Sequence, residues 1–476
     1  MSDLDGTPHA PGAPDARDES RSSAGRAVRY GATPLVVLAA TVMLENGERL
    51  SLAQAFDGLK EEFHLSDTAL GFIPAAMILV GLVGSFPFGF LADRVRRTAL
   101  LGTGMAIWTV CMLLNGFAPG YGLLFAARLG VGAVEANGPA AVSLLSDYYP
   151  VRERAKRIGL YQSGGLIGAI LGLLIGGIAV SQGSWRWAFW MWVPVGAIVT
   201  IAVLRLPEPK RGDQDADFHD DLALDMGAVM ETVAATDIVE RIALPPPTRV
   251  GTLDYNNASV RDVWRELSRI RSMWFALLAI TISSLMLNGL QVWAVEFFKR
   301  VHGLSAAQAG VFTTIFGLGA AVGVMGGGFL ADNLLRRGIL NARVYVVAFS
   351  SMAAAAVLLP GFLTRNLAVA GAFMTLGGLL LTLPIAPGEA MMNDVIVAQL
   401  RGRAATARSI VRSLGAAGPL LVGVLSSAFG IRTAVASIVP IYAVGGLVML
   451  LAARTYPSDL AYMGAETRRV RAASGG

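Results

Sequence analysis

Gly89-Phe90-Leu91-Ala92-Asp93-Arg94-Val95-Arg96-Arg97 is followed, 239 positions later, by Gly328-Phe329-Leu330-Ala331-Asp332-Asn333-Leu334-Leu335-Arg336-Arg337. The five residues that open the first copy open the second unchanged, and the spacing is about half of the 476-residue chain. Each copy closes a long apolar run and begins a polar, arginine-rich break. Two parallel repeats would place such a break at the same point in each half. Chance identity would not also share that topological position.

Outward from these segments the chain reads as twelve apolar runs, near 32–56, 66–92, 98–117, 120–147, 157–181, 185–206, 272–298, 304–331, 339–360, 366–397, 404–428 and 432–453. Each is about the ~20 residues a helix needs to cross a hydrocarbon core. With 54% hydrophobic and 15% charged residues and a mean hydropathy of +0.56, the chain is too apolar for one soluble core. The runs do not alternate as barrel strands would. The expected fold is therefore an all-α membrane protein with twelve transmembrane helices in two pseudo-symmetric six-helix bundles. Its 55 glycines suit helices that approach closely in lipid.

Residues 1–29, rich in Pro, Ser, Asp and Arg, read as a disordered cytosolic tail without the apolar core of a signal peptide. The N-terminal bundle is expected over 30–206, a cytosolic linker over 207–268, the C-terminal bundle over 269–454 and a cytosolic tail over 455–476. The linker carries Asp213, Asp215, Asp217, Asp220, Asp221 and Pro245-Pro246-Pro247, and its end, Val260 to Ile270, is amphipathic enough to lie along the membrane face. Arginines crowd alternate connections, at Arg94, Arg96 and Arg97, at Arg152, Arg154 and Arg157, at Arg336 and Arg337, and at Arg401 and Arg403. By the positive-inside rule both termini are cytosolic and the membrane is the cell's inner (plasma) membrane.

Charges inside the runs are costly and call for partners. Arg128 and Glu135 are seven apart, on one face of the fourth run, and Glu45-Asn46-Gly47-Glu48-Arg49 lies at similar depth on the first. A buried cluster of Glu48, Arg49, Arg128 and Glu135 follows, with Glu45 and Asn46 beside it. Burial favours a protonated carboxyl and a nearby guanidinium favours the ionised form, so such a cluster suits proton coupling; a fixed ion-pair network that only positions helices is the competing reading. Asn288, Gln291, Trp293 and Glu296 in the seventh run mix polar and aromatic groups as an amphipathic ligand requires. Glu389, behind Pro384 and Pro387 in the tenth run, is a further candidate for substrate binding. Gly164, Gly168, Gly172 and Gly176 form a flat ridge on the fifth run, read either as a gating surface between the halves or as simple packing.

The repeated segment resembles the loop signature of the major facilitator superfamily, a glycine, a leucine, Asp-Arg and a basic cluster. The resemblance implies a gating latch made by Asp93, Arg94 and Arg97 in one half and by Asp332 and Arg336 in the other. Arg96 and Leu335 stand where the family usually has glycine, and Asn333 replaces an arginine. Asn46-Gly47-Glu48-Arg49, and Arg128 with Gly132-Ala133-Val134-Glu135-Ala136, resemble more narrowly the spinster branch, with Glu48 standing for an aspartate and Val134 for a glycine. That resemblance implies a secondary active transporter working by alternating access, coupled to protons and moving an amphipathic lipid such as a lysophospholipid. The alternative is a carrier of another small amphipathic organic ion or drug.

No phosphate-binding loop, zinc-binding His-Glu-x-x-His or nucleophile-elbow sequence occurs, and the single cysteine, Cys111, makes no framework. No enzyme activity, cofactor or metal is therefore expected, a membrane-embedded enzyme or a transceptor being the lesser readings. The arginines form no single patch, so nucleic acid is not an expected partner. The expected partners are the substrate, protons and membrane lipids, and the expected state is a monomer.

Overall fold

The computed structural model describes residues 30–135, 138–210, 260–396, 404, 408 and 410–474, apart from a few side chains among them, that of Asp93 included. The N-terminal tail, most of the linker, and Arg401 and Arg403 lie outside the described residues. Every regular element among the described residues is a helix. The first six crossings are α1 (Thr33–Gln54), α3 (Asp67–Arg94), α4 (Arg97–Gly116), the broken pair α5 (Tyr121–Val134) and α6 (Gly138–Tyr148), α7 (Val151–Ser181), and the pair α8 (Trp187–Trp190) and α9 (Trp192–Leu204). A short helix, α2 (Phe56–Phe63), links the first two, and α10 (Val260–Ser268) precedes the second half. There follow α11 (Arg271–His302), α12 (Ala306–Arg336), α13 (Ala342–Leu363), the pair α14 (Leu367–Thr382) and α15 (Ile385–Asp394), α16 (Ala417–Phe429) and α17 (Ile431–Ser474).

Ten of these helical stretches are long and apolar enough to cross a membrane. The remaining two of the twelve expected crossings are α1 and the α5–α6 pair, the ones that carry the interior charges. Side-chain caps start α3, α12 and α14: Ser66 accepts from the Ala69 N–H, Ser305 and Gln308 close a capping box, and Asn366 accepts from Ala368 and Val369. α11 ends at Gly303, whose φ of 68° is open to glycine at no steric cost.

The last helix departs from expectation. It runs on through Pro457 to Ser474, so the stretch expected as a polar tail is helical. Tyr456, Tyr462 and Glu466 on it are buried, and Asp459 accepts from the N–H and hydroxyl of Ser272. The helix continues because it has the base of α11 to pack against.

The glycine ridge of α7 also differs from the gating reading. A Cβ at Gly164, Gly168 or Gly172 would collide with the carbonyl of Ala39, Met43 or Gly47, and one at Gly176 would press on Ser51. Four glycines thus seat α7 on α1 within the same half. Contact between the halves comes from α3 against α16 and α7 against α12, where Gly71 meets the Pro419 carbonyl, Gly423 that of Asp67, and Gly310 that of Leu173.

Each half is pinned at the end where α3 finishes and α4 starts. Arg97, the first residue of α4 and 2% exposed, pairs with Asp147 at the end of α6 and with Glu208 behind α9. In the second half Arg343, in the first turn of α13, pairs with Asp394 at the end of α15, which also accepts from the Tyr456 hydroxyl at 2.7 Å. Arg97 therefore clamps its own half, and the side chain of Asp93, its expected latch partner, lies outside what is described. Asp332 approaches Arg343 at 3.6 Å, and Arg336 is exposed. Burial works against ionisation of Glu208, but the Thr98 N–H and hydroxyl and the Arg97 guanidinium outweigh it and hold the carboxyl below its usual range.

Candidate functional site

α1 and the α5–α6 pair bring together three acids and two guanidiniums at mid-depth. Arg128 donates to Glu48 at 2.6 Å, and both side chains are fully buried. The Arg128 guanidinium also lies 4.7 Å from the Phe189 ring centroid, a cation–π contact that adds to its hold in a desolvated place. Arg49, the residue after Glu48 on α1, donates to Glu135 at 2.5 Å, with Arg49 37% and Glu135 12% exposed. Glu135 is the C-cap residue of α5, so its carboxylate is carried at the end of that helix. Glu45, one turn before Arg49 on α1, is half-buried and interacts electrostatically with Glu135, Arg49 and Glu48.

The two pairs differ in what reaches them. Glu48–Arg128 is sealed. Arg49 borders a space of about 30 Å³ between the halves, walled by Leu52, Phe56 and Met77 and by Asn288 and Gln291 of α11. That volume holds about one or two waters and no organic substrate, so the centre is closed in this state. Asn46 turns back onto its own helix, donating to the Val42 carbonyl at 3.0 Å. Asn288 donates to the Gly415 carbonyl at 3.3 Å.

Trp293 is not open to this space. It is fully buried, donates to the Pro419 carbonyl at 2.9 Å and sits edge-on to Phe56, 5.3 Å between centroids. It packs the seam between α11, α16 and α2. Glu389 pairs with Arg412 at 2.6 Å and lines a second space of about 70 Å³ with Ser283, Ser284 and Tyr442, inside the C-terminal half. Glu389 and the α1–α5 cluster are thus separate polar sites.

The largest feature that sequence reading left undeveloped is a charge network at the α2 end. Glu296, fully buried, faces Lys299 at 2.8 Å and Arg300 at 2.8 Å. Those cations cross to the other half: Lys299 meets Asp57 at 2.5 Å, and Arg300 meets Asp67 at 2.8 Å. Asp67 also takes Lys60 at 2.8 Å and the Ser426 hydroxyl at 2.6 Å, and the Thr68 N–H donates to Ser427 at 3.1 Å. Lys299 and Arg300 are conspicuous in sequence, but as charges at a span end they read as topology signals or interface residues. Asp57 and Asp67 flank a short loop and carry no motif. At the same end Glu62, in the last turn of α2, takes a two-pronged contact from Arg186 at 2.6 and 2.7 Å and the Trp185 N–H at 2.7 Å. These donors hold its carboxyl down to about 2.

A family model described as the Major Facilitator Superfamily matches residues 37–417. The chain is 25% identical over 439 residues to protein spinster of Drosophila melanogaster, covering 88% of this chain and 66% of that one. It is 27% identical over 310 residues to the D-galactonate transporter of Escherichia coli O6:H1, covering 64% and 67%. Among solved structures it is similar to a bacterial homologue of the human lysosomal transporter spinster, in an inward-facing and occupied conformation, with a TM-score of 0.73, 20% identity, and 91% of this chain and 98% of that one covered.

Proposed function

The chain belongs to the Major Facilitator Superfamily, a multi-pass membrane transporter and not an enzyme, and we propose that it couples protons to alternating-access movement of an amphipathic organic anion, with lysophospholipid the first candidate. One observation carries this reading. Glu45, Glu48 and Glu135 stand against Arg49 and Arg128, and arginine does not give up its proton in proteins. Fully ionised, the group holds one negative charge too many for its depth, and a bound proton cancels it. Glu135 is the site of exchange, because its partner Arg49 reaches the central space while Glu48 and Arg128 do not.

Arg49 also supplies the substrate end of the mechanism. When the halves part, its guanidinium, Asn288 and Gln291 face a wall that is otherwise apolar, which fits an anionic head on a greasy body. Protonation of Glu135 frees Arg49 for that head, so proton and anion compete through one guanidinium. Orientation follows from the arginine-rich connections: both termini are cytosolic in the inner (plasma) membrane, the Asp57–Asp67–Arg300 network closes the outer side, and the chain works as a monomer. A spinster homologue of Arabidopsis thaliana described as a probable sphingolipid transporter, 24% identical over 340 residues, favours a lipid. The galactonate relative favours a second reading, a sugar acid, with the amides of Asn288 and Gln291 meeting hydroxyls.

The test is transport of labelled lysophosphatidylglycerol, a lysophospholipid whose head is a net anion, into liposomes holding the purified protein, with and without an imposed pH gradient. Movement that depends on the gradient and is lost in Glu135→Gln supports the reading. Gradient-driven transport retained by Glu135→Gln sinks the coupling role. Movement of galactonate in place of the lysolipid assigns the second substrate class.

A further inference from the structure

α10 is the one described element that belongs to neither bundle. Its nine residues, Val260–Ser268, end two residues before Arg271 begins α11, so it lies at the height where the seventh crossing enters the bilayer. One face is anchored. Leu267 and Ile270 are buried with Tyr456 and Met463 of the α17 extension, Glu266 accepts from the Tyr462 hydroxyl at 2.5 Å, and the Trp274 N–H donates to the Leu267 carbonyl at 3.0 Å.

The other face is bare. Arg261, Arg265 and Arg269 follow at four-residue spacing, which aligns them along a helix, and Arg271 extends the row. Arg265 and Arg269 are each 57% exposed and make only long ion pairs, with Asp262 at 3.9 Å and Glu266 at 3.8 Å, so the four arginines set against these two acids leave the row with a net charge of about +2. Beside the row Trp264 is 54% exposed. Its ring sits edge-on to Trp274, 5.6 Å between centroids, and Trp274 is only about 4.5 Å along the axis of α11 from Arg271. An exposed indole at that depth, next to a row of guanidiniums, is the composition of a helix that rests on lipid headgroups.

We propose that α10 is a binding helix for anionic phospholipid, its arginine row taking the headgroup phosphates and Trp264 seating among the glycerol groups of the same leaflet. Guanidinium and phosphate match in charge and in two-pronged geometry. The inference does not depend on what the central space carries; the lipid here is part of the surrounding leaflet. Its consequence is that the C-terminal half is tied to the bilayer at the root of α11, while α10 in turn holds α17.

The full chain is reconstituted in phosphatidylcholine discs with increasing phosphatidylglycerol, either lipid carrying bromine in its acyl chains. Subtracting the signal of Trp264→Phe isolates the fluorescence of this indole from the other seven tryptophans. The proposal expects quenching by brominated phosphatidylglycerol at several-fold lower mole fraction than by brominated phosphatidylcholine. That preference should shrink with each arginine replaced in Arg261→Gln, Arg265→Gln and Arg269→Gln and approach unity when all three are replaced. About 0.5 M salt should erode it in the unmodified protein as well, which keeps the test alive if a variant folds poorly. Equal quenching by both lipids, or none by either, overturns the proposal: the first means burial without charge recognition, the second a face turned to water or to another protein.

Discussion

Replacing Glu48 by Gln removes one partner of an ion pair that no solvent reaches. Arg128 is then left with a charge it cannot shed, 2.6 Å from a neutral amide and against the ring of Phe189. Breaking a buried pair in this way costs about 3–5 kcal/mol, most of it the desolvation of the orphaned cation. The opposite replacement, Arg128→Met, should cost less, since the abandoned carboxyl can take up a proton where a guanidinium cannot lose one. The double variant removes both charges and should recover most of the loss. Unfolding free energies from denaturant titration in mixed micelles, arranged as a double-mutant cycle, read all three. A Glu48→Gln variant within about 1 kcal/mol of the parent, or a double variant as poor as the two singles combined, would refute the assignment of this pair as the sealed anchor of the cluster. The neighbouring pair is the internal control: Arg49 is 37% exposed, and screening should hold the stability cost of Glu135→Gln to about 1 kcal/mol while transport is lost.

Gly172→Ala places a methyl against the Gly47 carbonyl and should destabilise by about 1–3 kcal/mol, whereas Gly159→Ala on the same helix meets nothing within 4 Å and should be neutral or slightly stabilising; thermal melts of the two variants decide. Asp67→Asn takes the charge from a carboxylate that holds Arg300, Lys60 and Ser426, and at about 1.5–3 kcal/mol for hydrogen bonds to a charged group it should favour the outward-open state by about ten- to a hundredfold. Modification of a cysteine at Gln291 by an impermeant thiol reagent from outside should rise accordingly, and an unchanged rate would show that the network does not close that side. Glu62, with its carboxyl depressed from 4.5 to about 2, contributes stability that is complete above pH about 4.5 and is lost as pH falls towards 2. Unfolding midpoints across that window should slope more steeply in the parent than in Glu62→Gln.

The architecture was legible because its signals are long: apolar runs, their number, and a repeated segment at half-chain spacing. The central cluster was legible for a narrower reason. Arg128 and Glu135 share a helical face and Glu48-Arg49 sits at matching depth, so burial left few possible pairings, and both ion pairs join residues named from spacing. Which pair is sealed was not legible, since it depends on Phe189 and on how closely the halves meet. The inner clamps escaped for a different cause. Arg97 belongs to the repeated segment, but its partners Asp147 and Glu208 are 50 and 111 residues away in sequence and carry no motif. Arg343 and Asp394 repeat the arrangement without resembling the first copy in sequence. Trp293 shows the converse failure: an amphipathic ring in a plausible span looked like a ligand contact, and only packing against Phe56 and the Pro419 carbonyl shows it spent on the seam.

The seating of α7 on α1 has a mechanical consequence. Three glycine-to-backbone contacts over about 12 Å of helix, followed by the Ser51 hydroxyl donating to the Gly172 carbonyl at 3.3 Å, leave little between the two rods to flex, so a displacement of one carries the other. α1 carries Glu45, Glu48 and Arg49, and the far end of α7 bears on α12 of the opposite half through Leu173 and Gly177. Together they form a stiff lever, with the charge cluster near its middle and its tip at the outer seam. A displacement of α1 at the charge cluster would therefore be felt where α7 meets α12 at the boundary between the halves.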